Sequence, residues 1–330
     1  MSRLRLTLAC WDYDRTRALS DGRVVPDGID LTYLTLPVEE TFFRMLRYRE
    51  FDAAEMSLSS YCVSRAAEHP AFIAIPVFVS RCFRHGSIFV STKSGIRNPA
   101  DLAGKRIGVP EYQMTAAVWI RGILHDEYGV APDNAEYFSG GEEETGRDEK
   151  IALNLPARFR VRPIAPDQTL SRMIAEGEID ALETAREPST FLTRPDAVRR
   201  LFPDYVAAEH DYFRKTGIFP IMHVVVLRRE LYEANRWVAR SLYKAFVAAQ
   251  RIVYDDLAIS AALKTMLPWQ LAAVDEARQL MGPDWWPYGL APNRHVLDTF
   301  LRYHHEQGLS PLRLQPEELF APETLESFKI

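Results

Sequence analysis

The chain has 330 residues, 47% of them hydrophobic and 26% charged, with a formal net charge of −5 at neutral pH. That length accommodates two domains with well-buried cores, and no apolar run is long enough to span a bilayer. The acidic balance gives no electrostatic case for nucleic acid, so an anionic substrate needs a locally basic pocket.

Leu4 to Ala9 alternates apolar and polar residues as a first strand, where a signal peptide would need an uninterrupted apolar stretch. The expectation is therefore a cytoplasmic protein. Cys10, Cys62 and Cys82 form no CxxC pair and read as reduced core thiols. Gly28 to Leu36 is a second strand, Val38 to Arg49 a helix, and Phe51 to Met56 a third strand, after which Ser57 to Ser60 offers capping hydroxyls. Phe72 to Val79 and Ser87 to Val90 are further strands. A second lobe is expected from Asn98. It holds a strand at Lys105 to Val109, a helix at Thr115 to Tyr128 stopped by Gly129, and a solvated acidic excursion at Glu142 to Lys150. Strands at Arg160 to Ile164 and Ile179 to Leu182 flank a helix at Leu170 to Ala175. The chain then returns near Asp211 to a strongly apolar strand, Ile221 to Leu227. Helices at Leu231 to Asp255 and Ser260 to Leu267 precede a tail from Asn293 to Ile330 that is helical and then irregular. The predicted architecture is α/β, with residues 1–97 and 211–330 as a discontinuous first lobe, 98–210 as an inserted second lobe, and a ligand cleft between them.

Six groups carry candidate chemistry. Asp12-Tyr-Asp-Arg15 follows a strand, where ligands of open α/β sheets bind, although a polar turn with a helix cap explains it alone. Glu55-Met-Ser-Leu-Ser59 sets a carboxylate and the Ser57 hydroxyl at a strand end and helix start, or is an ordinary cap. Ser80-Arg-Cys-Phe-Arg-His85 is the best local basic pocket. Arg81 and Arg84 can fork onto carboxylates, and His85 titrates near neutrality; a surface ion-pair cluster is the plain alternative. Tyr112 and Thr115 stand at a helix start that also contains Trp119. His223, in Thr216 to His223, either enters the cleft from the returning strand or is, more plainly, a buried and satisfied histidine. Trp286 and Tyr288, in Pro283 to Gly289, suggest a wall or lid for a flat ligand, or a packed surface hairpin. No dinucleotide, phosphate-loop, nucleophile-elbow or metal motif is present, and His304-His305 reads as part of an exposed helix. No cofactor is called for, and a divalent metal assembled from distant His85, His223 and carboxylates stays open.

The segments Asn98 to Pro110 and Ile174 to Ala181 resemble two-lobed solute-binding proteins. The set Asp12 to Leu19, Phe51 to Ser59, Ile75 to Phe78 with Ser80 to His85, and Thr115 to Gly122 resembles the 4,5-dihydroxyphthalate decarboxylase family. So do Thr216 to His223, Trp286 to Gly289 with Asn293-Arg294, and Gln307 to Ser310, so that the resemblance runs over nearly the whole chain. It implies a type 2 periplasmic-binding-protein-like fold in enzymatic use, and loss of carbon dioxide from 4,5-dihydroxyphthalate to give protocatechuate.

Protonating the ring carbon that bears the carboxylate lets it leave, and a para hydroxyl stabilises the cation. Such a site needs a proton donor, an acceptor at the phenol and an anchor for the second carboxylate. His85 is the candidate donor, with Glu55 or Asp14 as acceptor. Arg15, Arg81 and Arg84 are candidates to hold carboxylates, Tyr112, Ser57 and Thr115 to orient them, and Phe83, Trp119 or Trp286 to wall the departing group; His223 and Tyr288 complete the substrate-binding set. The expected partner is a small aromatic dicarboxylate, without nucleic acid or membrane, and a homo-oligomer is compatible with the sequence. The alternatives are a cytoplasmic solute-binding or sensor protein for an aromatic carboxylate, and a decarboxylase of a related aromatic acid.

Overall fold

The computed structural model describes residues 3–325. Among them run eleven strands: β1 (Leu4–Cys10), β2 (Ile29–Thr35), β3 (Ala53–Ser57), β4 (Phe72–Arg81), β5 (Ile88–Ser91), β6 (Arg106–Val109), β7 (Glu136–Ser139), β8 (Arg160–Pro163), β9 (Ala181–Glu183), β10 (Val198–Arg200) and β11 (Ile221–Arg228). They form two sheets in two compact units. No helix among the described residues is long and apolar enough to cross a membrane.

The first unit comprises residues 1–81, 221–297 and 315–330, although 326–330, the end of the tail expected to be irregular, lie outside the described residues. Its sheet has the order β2-β1-β3-β11-β4. β1 pairs in parallel with β2 and β3, while β11 runs antiparallel to β3 and β4. β3 is buried along its whole length, as a central strand covered on both faces must be. The helix Asp14–Ser20 packs on the long helix Trp237–Leu257, which buries one apolar stripe and leaves Arg251 exposed.

The second unit comprises residues 82–220 and 298–314, around a sheet of order β10-β5-β9-β6-β7-β8. Phe89, Leu170, Met173, Ile174, Ile179, Leu182 and Val198 fill one core cluster. The helix Thr115–Tyr128 is buried from Thr115 to Leu124 and ends on Gly129 at φ 70°, the left-handed stop its sequence position predicts.

The unit boundaries differ from those expected at 98 and 210. β5 pairs with β9 and β10, which draws the chain from Cys82 onward into the second unit. Residues 298–314 also join it, because Tyr303 packs edge-on against Trp119. A Cβ on Gly122 would lie 2.0 Å from the ring of Tyr303, whose hydroxyl is tied to Asp126 Oδ2 at 2.7 Å. Gly122→Ala should therefore destabilise the protein by about 1–3 kcal/mol through overpacking, outweighing the helix-propensity gain of at most about 1 kcal/mol; a lowered urea midpoint checks it.

Three local expectations are corrected. Residues 260–267 are not helical, and a helix forms instead at Gln270–Met281. Leu263, Met266 and Leu267 are exposed, so a helix there would have no apolar face to bury. His304 is fully buried rather than exposed, its Nδ1 2.6 Å from Ser310 Oγ. The acidic excursion folds back: Arg147 and Lys150 pair with buried Glu111, and Glu149 accepts from the Tyr112 N–H.

Candidate active site

In the first unit the carboxyl ends of β1, β3 and β4 lie on one edge of the sheet, the edge where open α/β sheets bind ligands. Glu55 stands on β3 with no exposure, a rare place for a carboxylate. β11 crosses β3 so that Val225 faces Glu55 and His223 faces Ser57. His223 is thus the diagonal same-face neighbour of Glu55, and its Nδ1 lies 2.6 Å from Glu55 Oε1. The edge of Phe42 meets the imidazole with ring centroids 4.9 Å apart.

The turn after β1 supplies the remaining donors. Tyr13 Oη donates to Glu55 Oε1 at 2.6 Å, the Trp11 N–H to Oε2 at 3.1 Å, and Cys10 Sγ lies 3.5 Å from Oε2. Tyr33 Oη fixes this turn by donating to Trp11 O at 2.9 Å. Burial pushes the Glu55 carboxyl upward, but the hydrogen bond and charge of His223, with the bonds from Tyr13 and Trp11, outweigh it and hold the group below its ordinary range. An ionised carboxylate only accepts, so Nδ1 of His223 carries a proton and Nε2 is the nitrogen left for chemistry. Burial, and then the Glu55 charge, push the Tyr13 hydroxyl and the Cys10 thiol well above their usual ranges. Tyr13 therefore stays a donor, and Cys10 is an un-ionised thiol rather than a nucleophile.

A second arrangement grows from an irregularity in β4. The ladder slips between His223 and Val225, which face Ser80 and Ile75, around Pro76, a residue with no N–H to pair. Carbonyls of this stretch accept from elsewhere: Pro76 O from the Gly289 N–H at 2.8 Å, Phe78 O from Trp286 Nε1 at 2.7 Å, and Val79 O from Arg15 Nε at 2.6 Å. The Arg15 guanidinium sits between the rings of Tyr13 and Trp286, 4.1 and 4.3 Å from their centroids. Arg81 is buried and donates to Pro287 O and Asn293 Oδ1; burial lowers its pKa to about 9. It clamps the Trp286–Gly289 turn.

The structure thus places Glu55, His223, Arg15, Trp286 and Tyr288 in the first unit, and the other candidates as follows. His223, read more plainly as a satisfied core histidine, is 17% exposed and paired to a carboxylate. His85 belongs to the second unit, packed against Phe202 and Tyr212, with neither ring nitrogen hydrogen-bonded among the described residues. Burial lowers its pKa to about 4, which favours the neutral ring. Asp14 is about half-exposed and bonded to Arg15 rather than facing Glu55. Ser57 accepts from the Ser60 N–H, the cap reading. In the second unit, Arg84 is buried near Ser87 Oγ and Ala185 O, Thr115 is buried at a helix start, and Tyr112 is fully buried beneath Arg121. Trp119 is core, its ring tilted against Phe300 and edge-on to Tyr303. Sequence reasoning missed Tyr13 and the Trp11 N–H as partners of Glu55; the signal was the polar tetrapeptide directly after β1. Among the described residues no group of three or more His, Cys, Asp and Glu side chains is placed to hold a metal ion.

No protein-family model matches the chain. The structure is similar to two periplasmic sulfonate-binding SsuA proteins. That of Methylobacillus flagellatus KT has a TM-score of 0.54 at 13% identity, covering 98% of this chain and 93% of the other. That of Escherichia coli has a TM-score of 0.54 at 12% identity, covering 98% and 99%. At such identities the likeness establishes the fold, that of type 2 periplasmic binding proteins, and nothing of the ligand. The sequence is 46% identical over 214 residues to a 4,5-dihydroxyphthalate decarboxylase of Pseudomonas putida, covering 65% of this chain and 83% of that one. It is 45% identical over 330 residues, the whole of both chains, to that of Comamonas testosteroni. The chain belongs to the 4,5-dihydroxyphthalate decarboxylase family.

Proposed function

We propose that the protein is a carboxy-lyase that removes one carboxylate of 4,5-dihydroxyphthalate as carbon dioxide, leaving 3,4-dihydroxybenzoate, with His223 as proton donor and Glu55 as the residue that orients it. The observation that carries the activity is the full-length 45% identity to the Comamonas testosteroni decarboxylase. The Glu55–His223 pair supports the assignment of roles, since a ring nitrogen held on a buried carboxylate is a general acid with a fixed direction.

The step balances with a proton as the only co-reactant. His223 Nε2 gives its proton to the ring carbon bearing the carboxylate. The bond to that carboxylate breaks, its electron pair restores the aromatic ring, carbon dioxide departs, and solvent returns a proton to His223. Each carboxylate of this substrate has a hydroxyl para to it, which spreads the positive charge of the protonated ring. Glu55 offsets the charge that the imidazole carries while it holds both protons.

The protein, stripped of metal by chelation, is incubated with 4,5-dihydroxyphthalate while carbon dioxide and 3,4-dihydroxybenzoate are followed. Equimolar release of both is the expected result; tight binding of the acid without release, even after divalent metals are restored, would replace this reading by a binding protein. His85→Leu separates the two histidines, and turnover within a few-fold of the parent is expected. The same variant should resist acid better. The unfolded imidazole takes a proton near pH 6.5, whereas the folded ring resists until about 4, so His85 withdraws stability as pH falls through that window.

A further inference from the structure

We infer that Arg15 and Tyr288 form the subsite that holds the retained carboxylate of the aryl acid, in the first unit beside the Glu55–His223 pair. The inference rests on the decarboxylase reading for its ligand class, and on geometry for its residues. Of the arginines at hand, Arg81 is engaged by Asn293 and Pro287 O, and Asn293 in turn donates to Pro287 O and Gly289 O at 2.9 and 2.8 Å. Arg84 is buried, with Ser87 Oγ and Ala185 O as acceptors. Arg15 instead lines an open pocket of about 140 Å³, with Trp285, Trp286, Tyr254 and Gln250 among its walls.

The Arg15 fork is pre-set for a planar anion. Nε is fixed on Val79 O, the guanidinium lies over two aromatic rings, and half-exposed Asp14 meets Nη1 at 3.0 Å. A carboxylate arriving there meets a guanidinium that has already lost its rotamer freedom. Tyr288 supplies an independent observation. It is 8% exposed, yet its hydroxyl makes no hydrogen bond among the described residues, and leaving a buried hydroxyl unmet is unfavourable unless a ligand meets it. Tyr288 follows Trp286 by two residues in the turn whose indole lies 4.3 Å from the Arg15 guanidinium, which keeps it in the same neighbourhood. Tyr13 joins the two halves of the site: its ring holds Arg15, and its hydroxyl holds Glu55.

Phthalate tests this, because it carries both carboxylates but no hydroxyl to stabilise a protonated ring. Its binding to the full chain is followed by tryptophan fluorescence and calorimetry. The parent should bind it. Arg15→Gln should weaken binding more than 10-fold, Arg15→Lys, which keeps the charge without the fork, about 5-fold or more, and Tyr288→Phe several-fold. If Arg15→Gln loses its circular dichroism, Arg15→Lys and Tyr288→Phe carry the test. With dihydroxyphthalate, KM should rise in the Arg15 and Tyr288 variants more than kcat falls. Parental affinity in the folded variants, or no phthalate binding by the parent, overturns the subsite. Arg15-dependent phthalate binding without carbon dioxide release from 4,5-dihydroxyphthalate would sink the decarboxylase reading and keep the subsite; turnover of 4,5-dihydroxyphthalate with an unchanged KM in Arg15→Gln would sink the subsite alone.

Discussion

Replacing His223 by Gln should lower kcat for dihydroxyphthalate by a factor of about 10²–10⁴, the range for losing a positioned general acid, with the fold intact. Gln keeps a donor toward Glu55 and fills similar space beside Phe42, so the change removes the second ring nitrogen more than the packing. Steady-state kinetics should place the loss in kcat, since the proton is needed only as the transition state forms. Glu55→Gln should be worse for the fold. The carboxylate accepts from Tyr13 Oη and the Trp11 N–H as well as facing His223, and an amide presents one acceptor oxygen where those donors need two. A buried donor left unmet costs about 1–3 kcal/mol. Glu55→Gln should therefore lose both activity and stability, whereas His223→Gln loses activity alone. A His223→Gln enzyme with parental kcat would overturn the assignment of the proton donor.

Much of the fold was legible because it depends on local pattern. The alternation at Leu4 to Ala9, the apolar run at Ile221 to Leu227 and the Gly129 stop all correspond to elements of the structure. What escaped depends on pairing between distant residues. β10 is three residues long and exists as a strand through its ladder to β5, which also moves the unit boundary to Cys82. In the site, Glu55 could be suspected from its place in an apolar strand, but its partner could not. The register that sets His223 diagonal to Glu55 comes from the antiparallel return of β11, some 168 residues away. His85 looked functional because two arginines precede it in sequence, yet its ring packs against Phe202 and Tyr212, and Arg81 is engaged by the Trp286–Gly289 turn.

The largest stability effect is expected in the second unit, at a pair the chemistry does not use. Arg121 and Glu183 are each 1% exposed, 3.6 Å apart, and Arg121 also donates to Gln307 Oε1 at 2.8 Å and Tyr112 O at 2.5 Å. Arg121→Met leaves Glu183 buried without its cation, which should cost about 3–5 kcal/mol. The cost should depend on pH in a definite direction. Burial raises the Glu183 pKa to about 7, against the attraction of Arg121, while the unfolded carboxyl ionises near 4.5. A raised carboxyl favours the folded state at low pH and withdraws that stability as pH climbs from about 4.5 through the folded value. In the parent the withdrawal ends near pH 7. Without Arg121 the folded pKa moves higher, so the loss continues above 7, and the gap between parent and variant should be wider at pH 8 than at pH 6. Urea unfolding at the two pH values measures that gap. Arg121→Met combined with Glu183→Leu should recover most of the loss, because a buried ion pair exchanged whole for apolar side chains is near neutral whereas half of one is not. A gap that is the same at both pH values would mean that Arg121 acts through Gln307 and Tyr112 rather than through the Glu183 charge.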